Sequence, residues 1–358
     1  MDINLELGGR LLDLAFLAGT SPRARGFERA AKAVLRLDQA ITPLVEANTF
    51  RAIHGIGPTT DRIARELIAE GTSPFVESAI ADSGKVAEVA ALRALRQHFL
   101  SRAAVAEILD RAGPPSRPKY RGDFQMHSVY SDGVEPLASI VEACLAHGHR
   151  SSGITDHSYG LAIAGGMSMD SVKKQHAEID MLNGQYKRRF RLFKGIEANI
   201  RPDGTVDMEP HELRLFEFVV ASPHSLLRKT VDQTARMVGA VSQPGVCILG
   251  HPMGRKFNQR PGVSADWDQV FTVAARRQVA IEIDGSWDRQ DVHFALAARA
   301  LEHGCLFALD SDAHANHELD FINIAIAHAR LAGIPEDRIV NYWPNDRFLE
   351  WARGAWTR

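Results

Sequence analysis

Seven short β-rich runs, separated by longer amphipathic stretches, fill the last two-thirds of this 358-residue chain and restrict what it can fold into. The runs are residues 123–127, 152–156, 192–197, 218–222, 246–250, 279–284 and 306–310. Strand alternating with helix builds a parallel sheet, because each helix carries the chain back to start the next strand. Seven repeats are enough to close, or nearly close, an α/β barrel. An open doubly wound sheet uses the same alternation. In either case ligands gather at the carboxyl ends of the strands.

The first hundred residues carry a different period. Ile3, Leu7, Leu11, Leu14 and Leu17 recur at helical spacing, and Gly19-Thr20-Ser21-Pro22 separates them from a second helical run. A further helix, about Ile63 to Glu70, is stopped by Gly71. Before it lies Gly55-Ile56-Gly57, set between helical segments. Glycines there let the backbone turn tightly and approach a bound group, and the free amides that open the next helix can donate to an anion. An ordinary helix–helix turn has the same signature. Residues 111–121, RAGPPSRPKYR, read as a semi-rigid linker. The expected organisation is a helical domain over 1–100, a helix and Pro/basic linker over 101–121, and an α/β domain over 122–358.

Composition matters mainly for what it excludes. Apolar residues make up 45% and charged residues 24%, the balance of a globular chain with a sizeable core. Charges interrupt every apolar run before it reaches the length of a membrane span, and the first ten residues lack the pattern of a secretory signal. Cys144, Cys247 and Cys305 are odd in number and widely spaced, as expected of buried thiols in a cytoplasmic protein. A net charge of −2 says little about partners, but 13 of the 15 histidines follow residue 121. That asymmetry places the chemistry in the α/β domain.

The histidines also fall at particular places. The first run leads into Gln125-Met-His127 and Ser131-Asp132-Gly133, the second into Thr155-Asp156-His157, and the third into Gly195-Ile196-Glu197. The remaining runs end in Ser222-Pro223-His224, Gly250-His251-Pro252, Glu282-Ile283-Asp284 and Ser311-Asp312-Ala313-His314. A lone histidine at a strand end is ordinarily a cap or a core residue. Five strand ends delivering histidine, three of them with a carboxylate nearby, match the donor set of zinc, manganese or iron and suit more than one ion. Asp156 and Asp284 are expected to orient ligands. Cys247 and Cys305 are expected in the core and most of the remaining histidines (147, 149, 176, 211, 293, 303, 317 and 328) in solvent, with His317 the one nearest a ligand loop.

These motifs, in this order, resemble the PHP (polymerase and histidinol phosphatase) domain. Gln125 at the first ligand position, Ala164-Gly165-Gly166, Ala265-Asp266-Trp267 and Ile283-Asp284-Gly285 are similar to the PHP domain attached to bacterial family X DNA polymerases. The resemblance covers essentially all of residues 122–358. Phe27-Glu28-Arg29-Ala30-Ala31 and the Gly55–Gly57 turn resemble the small helix-hairpin-helix domain that opens the same polymerases. Those enzymes place a polymerase palm with paired aspartates between the two modules. Here only residues 71–121 intervene, with no Asp-x-Asp, so no palm fits. The lyase lysine falls on Ile63, which cannot form an imine.

The resemblance implies a distorted seven-stranded (β/α) barrel of PHP type behind a small all-α domain. It also implies three divalent ions (Mn, Zn or Fe): one held by Gln125, His127, Glu197 and Asp312, one by Glu197, His224 and His251, and one by Asp132, His157 and His314. Arg255 would clamp the phosphate, and Gly55 and Gly57 would contact DNA. Arg228, Lys229, Arg255, Lys256 and Arg260 are candidates for a basic rim. The expected activity is hydrolysis of DNA phosphodiesters. A small-molecule phosphomonoesterase and a non-catalytic DNA-binding protein are the alternatives.

Overall fold

The computed structural model describes all 358 residues, Met1–Arg358. They divide into two compact units: Met1–Ala112 with Phe257–Gln259, and Gly113–Lys256 with Arg260–Arg358. The break between Ala112 and Gly113 lies inside the Pro/basic stretch. No helix is long and apolar enough to cross a membrane.

The first unit is helical. It comprises α1 (Ile3–Ala18), α2 (Pro22–Leu35), α3 (Ile41–Glu46), α4 (Pro58–Glu70), α5 (Pro74–Ser83), α6 (Val86–Ala94) and α7 (Arg102–Asp110). Side-chain caps start several of these helices: Asp2 accepts from the Leu5 amide, and Ser21 from the Ala24 amide ahead of Pro22. Leu7, Leu11, Leu14, Phe27, Val34, Ile41, Ile63 and Leu67 form one buried cluster. Gly55, at φ +89°, makes the turn between α3 and α4 that a residue with a Cβ would resist, and Gly57 caps α4 ahead of Pro58. Ile63 is fully buried in that core. Residues 74–110 contain α5, α6 and α7.

The second unit holds six parallel strands in the order β1 to β6: Ser151–Ile154, Arg191–Asn199, Phe218–Ser222, Val246–Leu249, Ala280–Asp284 and Leu306–Asp310. Between and around them lie α8 (Leu137–Ala146), α9 (Met169–Tyr186), α10 (Pro210–Leu213), α11 (Thr234–Ser242), α12 (Trp267–Arg277), α13 (Phe294–Glu302), α14 (Ile322–Leu331) and α15 (Asn345–Gly354). Every residue of β1, β3, β4 and β5 is buried, as expected of a parallel sheet covered on both faces.

The seventh strand is not formed. The expected run at 123–127 contributes only an isolated bridge, Met126 to Ala313. Side chains take the amides that a ladder would need. Phe124 N–H donates to Asp310 Oδ1 (2.7 Å), Gln125 N–H to Asp123 Oδ1 (3.1 Å) and Met126 N–H to Thr155 Oγ1 (3.1 Å). The segment still lies between the sheet's two edge strands. Its Asp123 and Met126 carbonyls accept from Gly153 and Thr155 beside β1, and His127 N–H donates to the Ala313 carbonyl after β6.

At the amino ends of the strands, Phe124, Phe193 and Phe218 pack on Phe348 of α15, with the Phe124 and Phe348 rings stacked at 4.2 Å. This apolar plug leaves the opposite, carboxyl end of the sheet for polar residues.

Candidate metal centre

The strand-end residues converge on one carboxylate. Glu197, fully buried within β2, stands 2.8 Å from His157 Nδ1, 3.0 Å from His251 Nε2, 3.5 Å from His224 Nε2 and 3.6 Å from His127 Nε2. These imidazoles arrive from four places: the segment before β1 and the ends of β1, β3 and β4. A second carboxylate, Asp132, lies 3.5 Å from His157 Nε2, 3.5 Å from His314 Nε2 and 3.7 Å from His127 Nδ1. Asp312 Oδ1 is 3.1 Å from His127 Nε2. The His127 ring is stacked between those of His157 and His314, at 4.5 and 4.3 Å.

Two groups of ligand atoms each fall within 4.8 Å of one another: His127, Asp132, His157 and His314, and then His157, Glu197 and His224. His127 therefore faces Asp132 as well as the nearer Asp312, and His157 belongs to both groups. The division into three separate sets is less sharp in space than in the resemblance. Of the other residues in those sets, His251 adjoins Glu197, while the Gln125 side chain is wholly buried.

The unpaired atoms favour cations at this place. Gln125 Oε1 and Nε2, His127 Nδ1, Glu197 Oε2 and His251 Nδ1 are buried and make no hydrogen bond. Orphaned polar atoms in such number are costly in a folded interior unless another group, such as an ion, satisfies them. His157 Nδ1, 2.8 Å from Glu197 Oε2, also lacks the alignment of a hydrogen bond. The donors are imidazole nitrogens and carboxylate oxygens, which fit the residues named from sequence to zinc, manganese or iron.

Electrostatics in the ion-free protein follow from that crowding. Burial opposes ionisation of Glu197, yet the charge and close approach of His157 and the hydrogen bond with His251 outweigh it and hold the carboxyl well below its usual range. Burial likewise opposes ionisation of Asp132, and hydrogen bonds with His157 and His314 reverse the balance. Burial disfavours the His157 cation, but Glu197 and Asp132 push its pKa up to about 10; His314, beside Asp132 and Asp312, goes to about 9. His224 goes the other way, to about 3, because burial dominates there.

A layer of carboxylates behind the candidate ligands fixes the loops. Asp156 accepts from Ser128 N–H (2.8 Å), Ser128 Oγ (2.5 Å), Ser131 Oγ (2.5 Å) and Gln175 Nε2 (2.6 Å), which shapes the loop carrying Asp132. Glu282, on β5, accepts the His251 amide and was not singled out from sequence. His251 (φ +23°) and Asp312 (φ +53°) both hold backbone conformations that side chains disfavour, as residues fixed for function often do.

Sequence reasoning also missed Arg289. Its Nη1 lies 2.9 Å from Asp312 Oδ2 and 3.8 Å from Asp284 Oδ2. Burial disfavours its charge, and Asp312 and Asp284 more than restore it. Nothing in the local sequence distinguishes Arg289 from a surface arginine, since only the fold of residues 285–291 brings it back over Asp312. Arg255, the expected clamp, is 6% exposed; burial lowers its pKa to about 10 against the nearby charge of Asp291. Lys256 pairs with Asp288 at 2.8 Å and Arg260 Nε donates to the Gly254 carbonyl, so of the five rim candidates only Arg228 and Lys229 are exposed.

The remaining histidines are not all solvated as expected. His149 and His328 are buried because each meets a polar partner: His149 Nδ1 meets Ser152 Oγ at 3.1 Å, and His328 lies between the Phe294 amide and Gln290 Oε1. His317 is exposed. All three cysteines are buried and free.

No family model matches the chain. It is 33% identical over 222 residues to "DNA polymerase/3'-5' exonuclease PolX" of Bacillus subtilis, covering 62% of this chain and 39% of that protein. A probable phosphatase of Thermoanaerobacter is 29% identical over 161 residues, 42% of this chain and 63% of the relative. The probable phosphatase YcdX of Escherichia fergusonii is 26% identical over 236 residues, 63% of this chain and 91% of the relative. The chain thus spans less than two-thirds of the length of the first two relatives. Among solved structures, a histidinol phosphate phosphatase from Lactococcus lactis, complexed with zinc, L-histidinol and phosphate, aligns with a TM-score of 0.47. Its identity is 18%, over 60% of this chain and 94% of that one. With its ordered strand-end motifs, the chain is a homologue of bacterial PolX and of the PHP-type phosphatases.

Proposed function

We propose that the chain is a divalent-metal-dependent phosphoesterase that hydrolyses phosphodiester bonds of DNA, of the 3′–5′ exonuclease or end-processing type, without polymerase activity. The observation that carries this reading is the Glu197 carboxylate ringed by four imidazoles, with Asp132 and Asp312 beside them. When bound, divalent ions would supply Lewis acidity toward phosphate oxygens and lower the pKa of water.

The chain's own groups would do the rest. Glu197, His127, Asp312 and Gln125, then His224 and His251, then Asp132, His157 and His314 are the proposed holders of up to three ions. Gln125 brings a neutral donor where a histidine would bind more strongly, so that ion would be held more loosely. The Arg289 guanidinium keeps a permanent positive charge beside Asp312, where a phosphate oxygen would need one. Arg255 would contribute from behind. The Gly55–Gly57 turn and the amides opening α4 would hold a DNA backbone through contacts that do not read sequence.

A small-molecule phosphomonoesterase is the second reading. It is favoured by the phosphatase relatives, one of which matches over 91% of its length. The two separate in one assay: manganese-loaded protein given 3′-labelled single-stranded DNA beside histidinol phosphate. Release of the 3′ label as a mononucleotide with the monoester untouched supports the nuclease; the reverse pattern supports the monoesterase. No hydrolysis of either, with metal bound, would leave a non-catalytic DNA-binding role.

A further inference from the structure

One buried arginine of the α/β unit has no charge partner. Arg236, on α11, is 4% exposed and forms no ion pair, and burial alone lowers its pKa. A guanidinium enclosed in this way is costly unless every donor finds an acceptor. Its five N–H groups make five hydrogen bonds. Nε donates to the Arg201 carbonyl (3.0 Å), Nη1 to the Ser225 carbonyl (2.9 Å) and Gln233 Oε1 (2.7 Å), and Nη2 to the Ile200 carbonyl (2.6 Å) and Ser225 Oγ (3.0 Å).

Except for Gln233, those acceptors lie in two short segments: Ile200-Arg201, just past Asn199 at the end of β2, and Ser225, just past His224. The residues immediately before the two segments meet each other. His224 Nδ1 lies 3.3 Å from Asn199 Oδ1, and His224 Nε2 lies 3.5 Å from Glu197 Oε1. An amide oxygen can only accept, so Nδ1 carries the ring proton and Nε2 keeps its lone pair on the Glu197 side. The backbone is shaped to let α11 reach this place. A Cβ on Gly204 would fall 2.7 Å from the Arg236 carbonyl oxygen, and one on Gly239 would fall 3.2 Å from Gly204 Cα, so the helix rests directly on the turn after β2. Gln233 Nε2 adds a bond to the Leu226 carbonyl (3.2 Å).

We infer that Arg236 is a positioning residue: it ties the chain just past Asn199 to the chain just past His224, and so sets the Asn199–His224 pair that turns His224 Nε2 toward an ion beside Glu197. The inference rests on the metal-dependent phosphoesterase reading above. Arg236 itself touches neither ion nor substrate. Its planar fork is what spans the two segments, and a lysine, with one charged nitrogen on a flexible stem, cannot reach all of the same acceptors. Groups that orient a metal-binding histidine from behind set its tautomer and ring direction, and their loss weakens metal binding by about 10- to 100-fold.

The test titrates the full, EDTA-treated chain with manganese and reads free Mn²⁺ by electron paramagnetic resonance, so that no hydrolysis is needed. Arg236→Lys should weaken one manganese equivalent by about 10- to 100-fold and leave any others as in the wild type. Asn199→Ala should weaken the same equivalent, and it decides the matter alone if Arg236→Lys does not fold. In a His224→Ala background neither change should weaken manganese binding further. A further loss there would make Arg236 a structural staple and overturn the inference, as would wild-type affinities in either folded variant. With bis(p-nitrophenyl) phosphate, the manganese concentration giving half the maximal rate should rise by the same factor while KM for the ester stays unchanged. If manganese binding shifts as expected but no ester is hydrolysed even by the wild type, the phosphoesterase reading fails and the role of Arg236 stands. If the wild type binds no manganese, both fail.

Discussion

Replacing Glu197 by Gln tests the centre at its most connected point. The substitution keeps the volume of a fully buried side chain and removes one negative charge facing His127, His157, His224 and His251. A unit charge about 4 Å from a cation contributes about 4 kcal/mol per cationic charge at the effective dielectric of a protein site. A divalent ion doubles this to about 8 kcal/mol, roughly a millionfold in affinity as an upper bound that screening and relaxation of the site cut by half or more. The neutral amide recovers part of this, so a fall of two to three orders of magnitude is expected. Metal content should be measured by elemental analysis after gel filtration. Hydrolysis of bis(p-nitrophenyl) phosphate should be followed at fixed manganese, with circular dichroism confirming the fold. E197Q is expected to lose at least one equivalent of metal and at least 99% of the wild-type rate while keeping its helical signal. A folded variant with full metal content and full rate would falsify the placement of ions around Glu197.

Four further outcomes are expected. In the ion-free protein, His157 and His314 have folded-state pKa values of about 10 and 9, above the ordinary 6.5. Their contribution to stability is therefore complete below pH 6.5 and lost as pH rises toward 10, whereas that of Glu197 and Asp132, whose pKa values are depressed, is lost as pH falls through the acid range. Urea unfolding of EDTA-treated protein should show the alkaline loss, and manganese should abolish it; a flat profile from pH 6.5 to 10 would refute the assignment. Arg289→Gln strips the partner from Asp312 Oδ2 and should lower kcat/KM by about 10- to 100-fold, with partial recovery in Arg289→Lys, whereas an unchanged rate would make Arg289 a bystander. Gly195→Ala would set a Cβ 2.4 Å from the Phe218 ring and should destabilise by about 1–3 kcal/mol in chemical denaturation; a neutral effect would mean that the plug of phenylalanines yields easily. Removing residues 1–112 should leave a folded, hydrolytic α/β unit with a higher KM for long DNA at moderate salt; equal KM values for both proteins across a salt series would rule out a DNA tether.

Much of the centre was legible because its chemistry is local in the chain. Thr155-Asp156-His157, Ser222-Pro223-His224 and Ser311-Asp312-Ala313-His314 each pair a buried apolar run with a polar residue just past its end. In a parallel sheet that position is the ligand-bearing mouth. Period and punctuation also located β3 and β6 to the residue, and the end, at Glu70, of the helix stopped by Gly71, which begins at Pro58 rather than near Ile63. The helical period of the first unit came from apolar spacing, which depends only on which face must be buried.

What the tertiary structure decided depends on partners distant in the chain. The run 123–127 has the composition of a strand, but Asp310 and Thr155, well over a hundred and about thirty residues away, take its amides and leave one bridge where a ladder was expected. His149 and His328 became core residues only because Ser152, Gln290 and the Phe294 amide were brought to their ring nitrogens. Arg289 and Arg255 differ in their surroundings for the same reason. Both are arginines in loops after strands, and the fold of residues 285–291 turns Arg289 onto Asp312 while Arg255 is enclosed near Asp291. Strand-end position follows from the periodicity of burial, which a sequence carries along its length. The direction in which a loop side chain points is set by which distant charge it can neutralise, and that exists only once the chain has folded.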